Sequence, residues 1–572
     1  MSEGEIVRHP ELRAATASAV RRRPEEELAL DLYGRGGFIS LRQAEEDGAN
    51  DVVAVGQRKA VNLGPRDPSV LYSQATHIST IISKNNLDTI LTVKRSDNLI
   101  WELFKHNLIH NRVRECLHRM GFYGIFRCGY HGLDNHLITA LVERWRRETH
   151  TFHLPVGETT ITLQDIEIIW GLKVDGIAVT GIDTLRKRHE WQQICFDLLG
   201  FAPALGHLKG GHLSLTALNE HCIQMVINDD STEQEVAQYS RCVALMTIGG
   251  CMLPDSQGGA VKLMYLQHLQ DINRVSEYGW GSATLAYLYR ELCNASTIGK
   301  NQIAGPLYIL QIWAWSRMPT LSPGIHEQFL TAPRDDHQDV IMPVAPYGAR
   351  WKLVNTFTHT ASHAVRIIRD ILDHMEENQF LWNVYDPKAP DVRSLTPDEE
   401  LTTVWRSVCP LVCFDIVEMH RPNRVMRQFG MRQSIPIPAT NGDELHRLTR
   451  QGRRNYDWAV HHQGYLAQWE NRHGLVVSSG YHHGVHPTTR DYKRWYDQIT
   501  VRFISPTTRG AGYRTGDAPF RSLVTEEAMI LMSRFEGLSL REQSHEALVE
   551  VVNDSRRIGR RLYELANRDQ QH

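Results

Sequence analysis

The chain has 572 residues, of which 42% are hydrophobic and 23% charged, and its formal net charge at pH 7 is -3. This is the balance of a globular protein long enough for several domains. It argues against a dedicated nucleic-acid-binding protein, which usually carries a strongly basic domain, but it is compatible with a local basic patch.

The 9 cysteines are an odd number without a C-x-x-C pair, so they are predicted to be reduced thiols in an intracellular protein. The first residues, MSEGEIVRHP, lack the apolar stretch of a secretory signal. The apolar run 303–315 is too short to span a bilayer and is predicted to be a buried helix. We therefore expect no membrane partner.

Residues 1–62 are predicted to form a weakly ordered segment of mixed charge. Three arginines at 21–23 are followed by three glutamates at 25–27. Such an arginine run is typical of part of a nuclear localisation signal. The alternative, a solvated charged tail, is the one that the sequence alone favours.

Helical periodicity begins after residue 63. Apolar residues from Trp101 to Met120 mark one amphipathic helix that ends at Gly121. A second helix is predicted to begin at Asp134, a capping residue, and its apolar positions are Leu137, Ile138, Leu141, Val142 and Trp145. The opposite face of this helix is predicted to carry Glu143, Arg144, Arg146 and Arg147.

A short β-hairpin is predicted near 151–162, because β-favouring residues flank a turn that contains Pro155 and Gly157. Thr162 and Asp165 then form a T-x-x-D pattern, which predicts a capping box at the start of a helix. Gly171 is the expected left-handed residue after the end of that helix.

Strong helices are predicted at 278–296, 305–319 and 365–375, with a Pro-rich connection before the third and another helix starting at Thr396. Trp280, Trp313 and Trp315 are expected to anchor the core. Residues 506–572 are predicted to be a linker and a C-terminal helical tail. The predicted fold class is therefore mainly α, a multi-helix domain with a small β-hairpin near 151–162.

Two segments resemble a known family. They are LDNHLITALVERWRRETHTFHLPVGETTITLQDIEIIWGLKVDG (133–176) and WRSVCPLVCFDIVEMHRPNRVMRQFGMRQSIP (405–436). Both resemble the plant mobile domain, also called aminotransferase-like, whose family includes MAINTENANCE OF MERISTEMS-like proteins and phosphatase 7 long-form homologues. The resemblance covers residues 63–505 and implies that they form one such domain.

This resemblance implies a non-catalytic nuclear scaffold or regulatory protein. Its expected roles are transposon and gene silencing, genome stability and meristem maintenance, in association with a phosphatase-7-like protein. Two other classes stay open. One is a transposon-related nucleic-acid-binding protein, whose affinity would fall steeply with salt. The other is a metal-dependent enzyme, which would purify with stoichiometric zinc or manganese.

A search for chemical motifs supports the non-catalytic expectation. The patterns G-x-x-x-x-G-K-[ST], H-E-x-x-H and G-x-S-x-G do not occur in the sequence. The metal-binding segments of serine/threonine phosphatases do not occur either, and no lysine has the context of a pyridoxal phosphate Schiff base. The sequence therefore predicts no catalytic residue and no cofactor, so the chain is not expected to be an enzyme.

Three residue pairs are candidates for a metal site. His359 with His363 and Cys409 with Cys413 are each four apart, so on a helix each pair shares a face and could hold one ion. His131 and His136 lie on either side of Asp134 in the sequence. For the histidine pairs, the favoured interpretation is a polar helix face. For the cysteines it is packing in the core, because the neighbours of Cys409 and Cys413 are apolar. No metal ligand is predicted.

Two groups of arginines are the candidate contacts for a partner or a phosphate. They are Arg421, Arg424 and Arg427, spaced three apart, and Arg144, Arg146 and Arg147. Guanidinium groups on one side of a helical turn can bind a phosphate backbone or an acidic segment. The alternative, which is favoured, is that they pair with Glu418 and neighbouring carboxylates and fix the fold.

Overall fold

The computed structural model describes residues 64–85, 89–255, 258–323, 340–342, 344–351, 364–385, 402–439, 443–450, 453, 455–478 and 488–505. The predicted segment 1–62, the helix start at Thr396 and the tail 506–572 lie outside these residues. Within them, no helix is long and apolar enough to cross a lipid bilayer.

Helices dominate the described residues. The α-helices are Ser79–Asn85, Asn98–Lys105, Asn111–Arg119, Tyr123–Cys128, Asn135–Val142, Leu163–Trp170, Arg188–Leu199, Leu215–Gln224, Glu233–Thr247, Trp280–Ala295, Leu307–Arg317, Ala364–Asp373, Asp443–Arg447, Trp458–His461, Gln463–Glu470 and Arg490–Ile499. Short 3-10 turns join many of them, and a π-helical turn, Ile248–Met252, extends the Glu233–Thr247 helix.

The strands are short and form small separate sheets. The three-stranded sheets are Trp145–Arg146, Thr151–Leu154 and Gly157–Thr159, and Leu208–Lys209, His212–Ser214 and Ala260–Lys262. The paired strands are Thr92–Val93 with Gln302–Ile303, Ile182–Asp183 with Tyr456–Asp457, and Cys409–Cys413 with Ile416–His420. The predicted class, mainly α with a small hairpin near 151–162, is confirmed.

Local capping signals are confirmed in atomic detail. The Asp134 carboxylate accepts hydrogen bonds from the backbone N–H groups of His136 and Leu137. Thr162 and Asp165 form the reciprocal capping box, and Gly171 ends that helix at φ 65°. These contacts satisfy N–H groups that a helix start leaves without intrahelical partners.

Two predicted helices differ from the structure. The helix predicted over 101–120 is broken, because Asn107 is left-handed at φ 52° and His110 caps a new helix. The Asn135–Val142 helix ends before its predicted polar face, and Trp145 and Arg146 form a strand instead. That face is not solvated: Glu143 is 2% exposed and receives two hydrogen bonds from Arg369, at 2.6 and 2.7 Å.

The core is built around two helices that are buried on nearly every side. All residues of Leu307–Arg317 are buried, as are all but two of Trp280–Ala295. Trp280, Trp313 and Trp315 are at most 4% exposed, so their predicted role as core anchors is confirmed. Helices that are buried on nearly every side belong in the interior of a large domain.

The first and last described segments meet. The carbonyl oxygen of Gln498 accepts hydrogen bonds from the backbone N–H groups of Arg66 and Asp67, at 2.8 and 2.9 Å. Tyr492 and Tyr496, on the last described helix, pack with Val70 in a small apolar cluster. The two ends of the described residues are thus joined by direct contacts.

Gly281 is a position where any side chain would clash. A Cβ there would lie 2.7 Å from Cγ1 of Val174 and 2.8 Å from the carbonyl oxygen of Leu172. We expect Gly281→Ala to lower the free energy of unfolding by about 1–3 kcal/mol, as overpacking does. Urea denaturation followed by tryptophan fluorescence measures this. Gly464→Ala is the control, because nothing lies within 4 Å of its added Cβ. Equal stability of the two variants would contradict the tight approach.

Candidate functional site

The Arg144–Arg147 group lies mostly inside the protein. Arg144 is 1% exposed and pairs with the Asp373 carboxylate. Arg146 is equally buried and donates to Oε1 of Gln74 at 2.7 Å. Arg147 is half-buried and donates to Nδ1 of His446 at 2.8 Å. Of the three, Arg147 alone reaches a surface cleft.

The Arg421–Arg427 group holds the 151–162 hairpin. Arg424 is 1% exposed and donates to Oε1 of Glu158 at 2.7 Å. Arg427 donates to the carbonyl oxygen of Val156 at 3.1 Å and pairs with Glu377. Arg421 is half-buried. Instead of one helical turn, the segment forms two 3-10 turns, Pro422–Arg424 and Met426–Phe429.

These placements favour a role in the fold for Arg144, Arg146, Arg424 and Arg427. Arg144, Arg424 and Arg427 are buried against carboxylates and Arg146 against the Gln74 amide, so these guanidinium groups are not presented to a partner. Removing one member of such an ion pair leaves an uncompensated charge. The carboxylates differ from the one that the sequence suggested, since Glu418 pairs with Arg290. Partner contact by Arg147 and Arg421 stays a prediction.

A basic cleft of about 520 Å³ lies beside Arg147. Its lining residues are Tyr72, Ser73, Ala75, Thr76, Arg147, Asn294, Thr297, Lys300, His446 and Arg447. Lys300 and Arg447 are exposed, and no acidic residue is among these described lining residues. We call this surface the basic cleft. Its described lining presents cations, hydroxyl groups and amide groups but no carboxylate, so the cleft suits an anionic ligand.

A buried cluster of polar side chains lies directly beneath the basic cleft. Its members, which we call the His–Cys–Glu cluster, are His150, Cys293, Glu418 and His446, and one ligand-type atom from each lies within 4.8 Å of the others. Nε2 of His150 is 2.9 Å and Nε2 of His446 is 3.0 Å from Oε2 of Glu418. His446 belongs to both the cluster and the cleft.

Electrostatics hold Glu418 ionised. Burial alone would raise the pKa of Glu418, but Arg290, His446 and His150 hold it well below its usual range. Nε of Arg290 donates to Oε1 of Glu418 at 2.5 Å. Burial lowers the pKa of His150, although the Glu418 carboxylate opposes this shift. Burial also raises the pKa of the Cys293 thiol well above its usual range.

The chain's local structure explains how the cluster forms. His150 follows the strand Trp145–Arg146 and has a left-handed backbone, φ 54°. Cys293 lies on the buried Trp280–Ala295 helix, and Glu418 on the strand Ile416–His420. His446 comes from the short helix Asp443–Arg447. Sequence patterns could not find this set because its four members lie on four separate elements.

The candidate metal pairs from the sequence do not fall in this cluster. His359 and His363 lie outside the described residues. His131 and His136 are buried, and the nearby Asp134 serves as a helix cap. Cys409 and Cys413 lie on a strand, at most 2% exposed, which confirms their predicted packing in the core. All nine cysteines are buried and unpaired with one another.

Fold and site together define a mainly helical domain in which buried ion pairs hold the hairpin and a basic cleft opens above the His–Cys–Glu cluster. The sequence model of the plant mobile domain matches residues 121–497, more than half of the chain. The chain belongs to the plant mobile domain family. The matched span lies inside the predicted domain 63–505, whose boundaries stay a prediction.

Curated relatives come from Arabidopsis thaliana. The chain is 38% identical to "Serine/threonine-protein phosphatase 7 long form homolog", over 82% of this chain and 34% of that protein. It is 31% identical to "Protein MAIN-LIKE 2", over 77% of this chain and 62% of that protein. It is 30% identical to "Protein MAINTENANCE OF MERISTEMS", over 76% of this chain and 83% of that protein. The chain thus spans about a third of the first relative and less than two thirds of the second. No solved structure matches the chain.

Proposed function

We propose that this chain is a non-catalytic nuclear scaffold of the plant mobile domain family, acting in transposon and gene silencing, genome stability and meristem maintenance. Its partner in this proposal is a phosphatase-7-like protein. The names of two relatives support the proposal, since one refers to phosphatase 7 and the other to the maintenance of meristems.

The observation that carries the scaffold proposal is the basic cleft. Arg147, Lys300 and Arg447 line one concave surface with no acidic residue among its described lining. Complementary charge steers a partner to such a surface and fixes its register. A cleft of about 520 Å³ accommodates a short acidic segment of a partner protein.

A pull-down from plant nuclei tests the scaffold proposal. The tagged full-length chain is captured with and without nuclease, and the bound proteins are read by mass spectrometry. Recovery of a phosphatase-7-like protein that survives nuclease supports the proposal. Absence of the chain from nuclei, or absence of that partner, counts against it.

Charge reversal tests whether the basic cleft is the docking surface. Lys300→Glu combined with Arg447→Glu replaces two exposed cations by anions. We expect recovery of the partner to fall about tenfold or more, which is about 1.4 kcal/mol of binding free energy, because attraction becomes repulsion. Quantitative mass spectrometry of the captured partner measures the change.

The matched control is Arg188→Glu combined with Lys209→Glu. Both cations are exposed and neither lines the basic cleft, so the change in net charge is the same. This control is expected to retain the partner. Equal loss in the two double variants would show a general charge effect and would refute docking at the cleft.

The same basic cleft favours nucleic-acid binding as a second candidate. A phosphate backbone suits the cations Arg147, Lys300 and Arg447 as well as an acidic peptide does. If bound chromatin proteins vanish with nuclease, and if DNA or RNA affinity falls steeply with salt, nucleic-acid binding replaces the scaffold proposal.

A further inference from the structure

We propose that the His–Cys–Glu cluster is a four-ligand site for a zinc-class divalent cation. The ligands are Nε2 of His150, Sγ of Cys293, Oε2 of Glu418 and Nε2 of His446. This site does not depend on what the basic cleft binds, so the inference is independent of the proposed scaffold function.

The first argument concerns the hydrogen bonds of His150. Its Nδ1 lies 2.9 Å from the carbonyl oxygen of Met419, and a carbonyl can only accept. Nδ1 therefore donates to this carbonyl, and Nε2 is the ring nitrogen that faces the cluster.

The other ring nitrogen, Nε2, faces the Glu418 carboxylate at 2.9 Å. The residue is 6% exposed, so this contact is closed to bulk solvent. A cation held between Nε2 of His150 and Oε2 of Glu418 would be coordinated by both atoms.

The donor set fits zinc. One thiolate, two imidazoles and one carboxylate are ligand types of a borderline-soft ion. In a tetrahedral zinc site the ligand atoms are about 3.3–3.8 Å apart. The cluster has two pairs at 2.9 and 3.0 Å and all four atoms within 4.8 Å, so shifts of about 1 Å complete the site.

Neighbouring groups already orient three of the ligands, as partners of metal ligands do. The Met419 carbonyl fixes the His150 ring at 2.9 Å. Arg290 holds Oε1 of Glu418 and leaves Oε2 toward the cluster. Nε1 of Trp145 donates to Sγ of Cys293 at 3.2 Å, a contact that suits a thiolate.

The backbone of His150 is held in an unfavourable conformation at this point. Its φ of 54° is left-handed, a region that residues with a Cβ adopt rarely. The carbonyl of Arg146 accepts from its N–H at 2.8 Å, and Thr160 donates to its carbonyl at 2.7 Å. Such conformations cluster where a side chain must be aimed at a ligand.

The fourth ligand, His446, changes its hydrogen-bond partner when the ion binds. Arg147 donates to Nδ1 of His446, so the proton of that ring lies on Nε2 and points to Glu418. On metal binding this proton moves to Nδ1, and Arg147 turns from the ring. The Cys293 thiol loses its proton to solvent as the metal–sulfur bond forms. With four protein ligands and no open position, the site is structural.

The test uses the full-length chain without a histidine tag. After treatment with a chelator, the chain is titrated with Zn²⁺ and, separately, with Co²⁺, and bound metal is measured by mass spectrometry. We expect one equivalent per chain. With Co²⁺ we expect near-ultraviolet thiolate-to-cobalt charge-transfer absorption, which reports a bond from sulfur to metal.

Two variants and one control locate the site. Cys293→Ala should abolish the charge-transfer band. His446→Gln should weaken Zn²⁺ binding by more than about 100-fold, beyond the 10–100-fold loss expected for an outer partner. Cys251→Ala removes another buried cysteine, 2% exposed and outside the cluster, and should change neither.

Circular dichroism checks the fold of each variant. If Cys293→Ala does not fold, His446→Gln decides, because His446 is only partly buried. Failure of the full-length chain to bind an equivalent of either ion overturns the proposal. Binding without a charge-transfer band, or binding that His446→Gln leaves unchanged, also overturns it and places the ion on other histidines.

Discussion

Asp165→Ala is expected to lower the free energy of unfolding by about 3–5 kcal/mol, the cost of breaking a buried ion pair. The Asp165 carboxylate is fully buried and accepts from Arg317 and from the Tyr385 hydroxyl, each at 2.8 Å. Its other oxygen accepts from the Thr162 backbone N–H and hydroxyl, each at 2.7 Å. The substitution leaves the Arg317 guanidinium, also fully buried, without its carboxylate and removes half of a capping box.

A double-mutant cycle separates the ion pair from the cap. Asp165→Ala combined with Arg317→Leu removes both charges, so it is expected to cost less than the two single substitutions together. Urea denaturation of the four proteins gives the interaction free energy. Strict additivity would mean that the pair does not couple the Leu163–Trp170 and Leu307–Arg317 helices.

Acid should destabilise the fold at pH values well above the pKa values of ordinary carboxylates. Burial lowers the pKa of His153, His268 and His420 to about 4, against an ordinary value of 6.5. Between these values the unfolded chain binds protons that the folded chain excludes. Stability is therefore complete above pH 6.5 and falls as the pH drops toward 4, by up to about 3 kcal/mol for each histidine. Thermal unfolding across pH 4–7 measures this.

His268 offers a clean way to check the origin of that loss. The centroid of its ring lies 4.7 Å from the ring centroid of Tyr278 and 5.5 Å from that of Phe414, so a phenyl ring can replace it. His268→Phe loses a hydrogen bond to the Thr180 carbonyl, at a cost of about 1 kcal/mol at pH 7, but its stability should fall less between pH 6.5 and 4. His189→Gln, at an exposed histidine, should keep the original profile. An unchanged pH dependence in His268→Phe would refute the assignment.

The parts of the fold that the sequence predicts are those set by local contacts. The hairpin around Pro155 and Gly157, the Thr162–Asp165 capping box and the Asp134 cap each depend on residues a few positions apart. Their physical causes are backbone hydrogen bonds and turn geometry, which a short stretch of sequence contains in full.

What the sequence does not predict depends on distant partners. The sequence favours carboxylate partners for Arg144 and Arg424 but does not identify them, and in the structure these partners are the buried Asp373 and Glu158. The hairpin Cys409–His420 is missed because its first strand contains Pro410, which is disfavoured within strands. Four separate elements, far apart along the chain, bring the His–Cys–Glu cluster together, so only the tertiary structure reveals it.

The contact of Arg66 and Asp67 with Gln498 bears on how the predicted domain 63–505 fits into a longer chain. A domain whose entry and exit points lie side by side can be inserted into a host chain without separating the host's flanking parts. The same geometry lets either end be fused to a further domain without pulling on the core. Such a cassette suits a family in which one relative matches this chain over only 34% of its length.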